Sequence, residues 1–207
     1  MSKPLFIVIE GIDGSGKSTQ IELLYKAFNN HGQSAITTHE PTDGKIGLMI
    51  RDIMSGKVSA DPAVIAALYL ADRLDHITHP DNGMLAILKE GHNIIASRYY
   101  FSTYAFQGEY LPLSWLIQTN NLCKSYLKAD ITFYINIDPE ICYQRLTKTR
   151  DSLDIYENPT KLKRTHEEYL KAFEVAGDGE HIVFVDGTLS QEALHEEIWK
   201  HVHTLMQ

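Results

Sequence analysis

The run Gly11-Ile12-Asp13-Gly14-Ser15-Gly16-Lys17-Ser18-Thr19 constrains this 207-residue chain more than any other feature. It matches G-x-x-x-x-G-K-[ST] in the context that pattern requires, after a β-prone apolar run, Leu5 to Ile9, and before a helical pattern from Lys17 to Asn30. Glycines let a backbone wrap closely around a phosphate with several N–H groups converging on it, and the helix that follows adds its positive end. Lys17 then supplies a point charge to the β and γ phosphates, and the Ser18 hydroxyl is placed to ligate Mg²⁺. Gly11 to Thr19 are therefore the expected triphosphate-binding residues.

The rest of the chain repeats the strand-then-helix alternation. Apolar or β-branched runs at Ser34 to His39, Asn93 to Ser97, Ile131 to Ile137 and Ile182 to Val185 read as strands. Between them helical patterns cover Lys45 to Met54, Asp61 to His79, Leu113 to Ser125, Pro139 to Thr149, Lys161 to Ala176 and Ser190 to His203. Asp61-Pro62 and Asp138-Pro139 each place a capping acid before a first-turn proline. The expected fold is α/β, a five-stranded parallel sheet with helices on both faces, in a single domain over residues 1–207, with ligands at the carboxyl ends of the strands.

Composition removes several alternatives. A formal charge of -8 argues against a partner that is a nucleic-acid polymer. The apolar runs are too short to span a bilayer, and Asp13 and Lys17 interrupt any signal-peptide core, so the expectation is no membrane and a cytoplasmic protein. Cys123 and Cys142 form no CxxC and sit in helical patterns, which argues against a disulfide framework. His76 and His79, near Asp72 and Asp75, lack a third ligand at useful spacing and read as structural rather than metal-binding.

Further motifs follow in order: Glu40-Pro41-Thr42 after the second strand, Tyr69-Leu70-Ala71-Asp72-Arg73 on a helix, and Arg98-Tyr99 with Ser102, Ala105, Phe106 and Gln107 after the third strand. Together with Glu10 to Thr19 they resemble the thymidylate kinases over essentially the whole chain. The resemblance implies the P-loop NTPase fold with a short lid, Arg145 to Asn158. It also implies ATP with Mg²⁺ as donor, a deoxynucleoside monophosphate, dTMP above all, as acceptor, and a homodimer. Residue by residue it implies that Arg98 faces both phosphates, Arg73 reaches the base carbonyl and Tyr69 stacks on the base. Thr103 would read the pyrimidine edge, Phe106 crowd the sugar, Asp13 approach the 3′-hydroxyl and Arg51 meet the acceptor phosphate. Glu40, Pro41, Ser102 and Gln107 would complete the acceptor pocket. Arg145 and Lys148 would be lid cations beside ATP, Arg150 the catalytic lid arginine, and Asp186-Gly187-Thr188 the adenine loop.

The chain departs from the family pattern at Ser97, where an aspartate that helps organise magnesium is usual. A neutral hydroxyl cannot replace that charge, so Mg²⁺ relies on Ser18, phosphate oxygens and water, or another carboxylate, Glu10 or Asp13, helps. In the lid, Ile155 stands where a second arginine is expected. Two other readings stay open at this point. A deoxynucleoside kinase would phosphorylate a sugar hydroxyl with Glu40 as general base, and a nucleotide sensor would bind without turnover.

Overall fold

A computed structural model describes residues 3–149 and 157–207. In chain order the elements are β1 (Phe6–Glu10), α1 (Lys17–Asn30), β2 (Ala35–His39), α2 (Lys45–Met54), α3 (Pro62–Thr78), α4 (Met84–Lys89) and β3 (Asn93–Ser97). There follow α5 (Tyr100–Gln107), α6 (Leu113–Tyr126), β4 (Ile131–Asn136), α7 (Pro139–Thr149), α8 (Pro159–Ala176), β5 (Ile182–Asp186) and α9 (Gln191–Leu205). The strands form one parallel sheet in the order β2-β3-β1-β4-β5.

β1 is central and buried throughout, because alternate side chains feed two separate cores. Phe6 and Val8 join the aromatic core under α3, α5, α6 and α8, with Tyr99, Phe101, Tyr134 and Phe173. Leu5, Ile7 and Ile9 join an aliphatic core under α1 and α9, with Leu24, Phe28, Ile198 and Val202. The chain steps from β1 out to β2, back to β3, and then across β1 to β4. The order reverses at β1, so a crevice opens at its carboxyl end, where Glu10 leads into the glycine loop.

Asp61 and Asp138 act as expected: Ala63 N–H donates to Asp61 and Glu140 N–H to Asp138, each at 2.8 Å. One helix start and two whole helices correct the sequence reading. α8 begins at Pro159, not Lys161, because Asn158 caps it through the Lys161 N–H at 3.0 Å. The helices α4 and α5 were not expected at all. α4 has only six residues, too few to show a period, and α5 is aromatic, hydroxyl-rich and buried on nearly every side, so it has no polar face to reveal it.

Candidate active site

The glycine loop closes on itself before any ligand is considered. Lys17 Nζ donates to the Gly11 and Ile12 carbonyls, both at 2.9 Å, and lies 3.7 Å from Asp13. Gly14 sits at φ 80°, and a Cβ there would stand 2.5 Å from the Cys142 carbonyl oxygen of α7, so only glycine allows the loop and helix to meet. Gly16, at φ 104°, is the N-cap of α1 and leaves its first turn open. Burial first, and Arg98 second, push the Lys17 pKa down, Asp13, Glu10 and Cys142 pull it part of the way back, and the balance lies at about 8. Gly14, Gly16, Lys17, Ser18 and Thr19 line a cavity of about 370 Å³ together with Asp13, Ser97, Arg98 and Arg145. Gly11, Ile12 and Ser15 lie behind it. Gly11 and Ile12 supply the carbonyls that hold Lys17, and Ile12 and Ser15 are buried.

Arg98 follows β3 with φ 73°, the one non-glycine residue at positive φ among the described residues. Its guanidinium donates to Asp13 at 2.6 Å, to the Gly11 carbonyl and the Ser102 hydroxyl at 3.2 Å and to the Tyr169 hydroxyl at 3.1 Å, and it lies over the Phe106 ring. Burial opposes its charge, but Asp13, Tyr169 and Glu10 outweigh that and hold it firmly cationic. Beneath it Glu10, fully buried, accepts from Tyr99 N–H at 2.8 Å, Ser102 N–H at 3.2 Å, Ser102 Oγ at 2.6 Å and Tyr169 OH at 2.8 Å. That carboxylate caps α5 and is spent there. It does not line the phosphate cavity, so Glu10 is no substitute magnesium donor, whereas Asp13 does line it. Tyr169, from α8, was missed by sequence reasoning, since an aromatic at helical spacing reads as ordinary core.

A second cavity, about 250 Å³, gathers all the residues named for the acceptor: Asp13, Glu40, Pro41, Arg51, Tyr69, Arg73, Arg98, Ser102, Thr103, Phe106 and Gln107. Met54, at the end of α2, is the one additional lining residue among the described residues, and no sequence signal marks it. Arg73, 1% exposed, donates to Glu40 at 2.6 and 2.8 Å, to Asn120 at 2.6 Å and to the Tyr99 carbonyl at 3.2 Å. Arg51 donates to the Pro41 and Thr42 carbonyls at 2.7 Å and pairs with Asp43 at 3.0 Å. Thr103 Oγ1 and both amide atoms of Gln107 are buried with no partner among the described residues. Burial would raise the Glu40 carboxyl, but Arg73 and His76 outweigh burial and hold it below the usual range. A carboxylate so engaged is a poor acceptor for a hydroxyl proton, which removes the physical basis for Glu40 as general base. His76 is likewise committed, with Nδ1 3.2 Å from Glu40 and Nε2 2.7 Å from the Thr38 hydroxyl.

Asp13 and Arg98 line both cavities, so the two meet at this ion pair. On the other side of the glycine loop Arg145 donates to the Gly187 carbonyl at 3.2 Å, joining α7 to the loop after β5, where Asp186 accepts from Thr188 N–H at 2.8 Å. Lys148 is exposed on α7. Arg150 and Ile155 lie outside the described residues. The donors around the phosphate cavity, the hydroxyls of Ser18, Thr19 and Ser97 and the carboxylate of Asp13, fit Mg²⁺, which keeps most of its water and takes few protein ligands beside phosphate oxygens.

The family model described as Thymidylate kinase matches residues 9–198. A "Probable thymidylate kinase" of Methanocaldococcus jannaschii is 35% identical over 197 residues, covering 94% of this chain and 93% of that protein. One of Pyrococcus horikoshii is 34% identical over 200 residues, 93% of each. A "Thymidylate kinase" of Trichormus variabilis is 32% identical over 200 residues, 93% of this chain and 92% of that protein. With a P-loop at the switch point of a parallel sheet, two cavities joined by one ion pair and this likeness along nearly its whole length, the chain belongs to the thymidylate kinase family.

Proposed function

We propose that the chain transfers the γ-phosphate of ATP to dTMP, giving dTDP and ADP. The observation that carries this reading is the seam between the cavities. A phosphate-binding loop lines one, unpaired buried amide and hydroxyl groups line the other, and Arg98 with Asp13 belongs to both.

The acceptor phosphate has a second pKa of about 6 and is mostly dianionic at neutral pH, so it attacks without a general base. Catalysis is then alignment and charge neutralisation. The glycine-loop amides hold the donor, Lys17 neutralises its β and γ oxygens, and Arg98 spans donor and acceptor phosphates with a planar fork. Arg51 steers the acceptor phosphate and Arg150 is the catalytic lid cation. Ser18, with Asp13 and Ser97 nearby, would hold Mg²⁺, which when bound offsets negative charge on the donor oxygens. At the acceptor base, Gln107 offers one donor and one acceptor and Thr103 a hydroxyl, a set that suits the N3–H and O4 edge of thymine. Tyr69 stacks on the ring, Arg73 reaches its carbonyl, and Phe106 crowds the sugar against a 2′-hydroxyl.

The whole chain, 1–207, acts as one catalytic domain. Val64 on α3 and Trp115, Leu122 and Tyr126 on α6 are exposed apolar residues on two helices that pack together, and they support a homodimer through that face. Among the described residues no helix is long and apolar enough to cross a membrane. The two buried, unpaired cysteines support a reducing, cytoplasmic setting.

The test is ADP release from Mg-ATP with dTMP, dUMP, dCMP, dGMP or thymidine as acceptor. We predict turnover with dTMP and none with thymidine; turnover with thymidine alone would overturn the reading.

A further inference from the structure

The Glu40–Arg73 pair has an unusual geometry. An arginine facing a carboxylate commonly makes two parallel bonds, one nitrogen to each oxygen. Here Nε and Nη2 of Arg73 both address Oε2 of Glu40, at 2.8 and 2.6 Å. The other oxygen, Oε1, is taken by His76 Nδ1 at 3.2 Å. His76 lies three residues after Arg73, on the same face of α3, and its remaining nitrogen is anchored 2.7 Å from the Thr38 hydroxyl on the edge strand β2. The side chains of Arg73, Glu40 and His76 are 1%, 2% and 9% exposed, so the triad has little room to relax in other ways.

We propose that His76 is a positioning residue for the acceptor. By holding Oε1 it keeps Glu40 turned out of a two-oxygen fork, and so keeps the Arg73 guanidinium facing the acceptor cavity, while Asn120 and the Tyr99 carbonyl each take one more of its five N–H groups and one on Nη1 is left for the acceptor. Without His76 the carboxylate is free to swing so that each oxygen takes one arginine nitrogen, and the guanidinium plane turns with it. His76 does not itself line the acceptor cavity; it faces a neighbouring one beside β2 with His39, Asp75 and His79. Its effect is therefore transmitted through Glu40. The inference rests on the reading that Arg73 contacts the acceptor base.

The ring nitrogens separate cleanly by substitution. Asparagine at position 76 places an N–H near the site of Nδ1 and retains the Glu40 contact; glutamine reaches toward Nε2 and retains only Thr38. Initial rates with dTMP varied at saturating Mg-ATP, and calorimetric dTMP binding, are measured for wild type, His76→Leu, His76→Asn and His76→Gln. Leu and Gln are expected to weaken KM and Kd for dTMP about tenfold, the scale of a lost bond to a charged group, with kcat and the KM for ATP unchanged. Asn is expected to stay within about threefold of wild type, since its amide replaces the Nδ1 donor. If Leu does not fold, the Asn and Gln pair decides. Asn no better than Gln, or a loss in kcat instead of dTMP affinity, overturns the positioning role. Wild type that neither binds nor phosphorylates dTMP would instead overturn the functional reading on which the role depends.

Discussion

Arg98 is held in a backbone conformation that costs an ordinary residue about 1–3 kcal/mol. The offset is visible immediately after it. Glu10, whose pKa burial raises above the usual carboxylate value, takes the N–H groups of Tyr99 and Ser102, and hydrogen bonds contribute about 0.5–1.5 kcal/mol each. The strain is thus matched locally, and in return the guanidinium lies across the junction of the two cavities. We predict that Arg98→Ala lowers kcat by about a thousandfold or more, as loss of a charge-stabilising arginine in phosphoryl transfer does. Steady-state rates check this, and near wild-type turnover would take Arg98 out of the chemistry. Lys17 makes a second prediction. Its pKa in the free protein is pushed down to about 8, chiefly by burial, while bound phosphates favour the ammonium. Above pH 8 the free protein loses a proton that the ATP complex keeps, so kcat/KM for ATP should fall by up to about tenfold per pH unit, whereas below pH 8 this group should leave it flat. A profile level to pH 9.5 would contradict that assignment.

At the scale of elements, the loop after β1 works only because α7 can press against it at Gly14. We predict that Gly14→Ala destabilises the protein by about 2 kcal/mol or more, through the left-handed φ and the clash with the Cys142 carbonyl. Thermal unfolding measures it, and an unchanged midpoint would mean that α7 is not packed as described. The contrast between α1 and α5 explains what a sequence can disclose. α1 carries a local motif and a periodic apolar face, so its extent, Lys17 to Asn30, was legible to the residue. The cap of α5 comes from Glu10, 89 residues before Tyr99, and nothing near Tyr100 announces a helix. The same distinction holds within the site. The residues around the acceptor cavity could be named because their motifs are short and ordered. What each one bonds to could not: Glu40 looked like a free base until Arg73 and His76, one helical turn apart on α3, enclosed it. Tyr169 and Asn120 carry no motif, and their roles come only from the packing of α8 and α6.

For the whole molecule, one sheet places three strand ends around one crevice. β1 delivers the phosphate loop, β3 delivers Arg98, and α7, following β4, delivers Arg145 to the outer side of that loop. Because the cavities share Asp13 and Arg98, the γ-phosphate has a direct path to an acceptor phosphate, and a kinase that excludes water along that path makes little free phosphate. The most direct test is ³¹P NMR of a reaction containing Mg-ATP and dTMP. We predict equal growth of ADP and dTDP resonances, with inorganic phosphate a minor product. Accumulation of ADP with inorganic phosphate, and no dTDP, would contradict transfer across the shared ion pair.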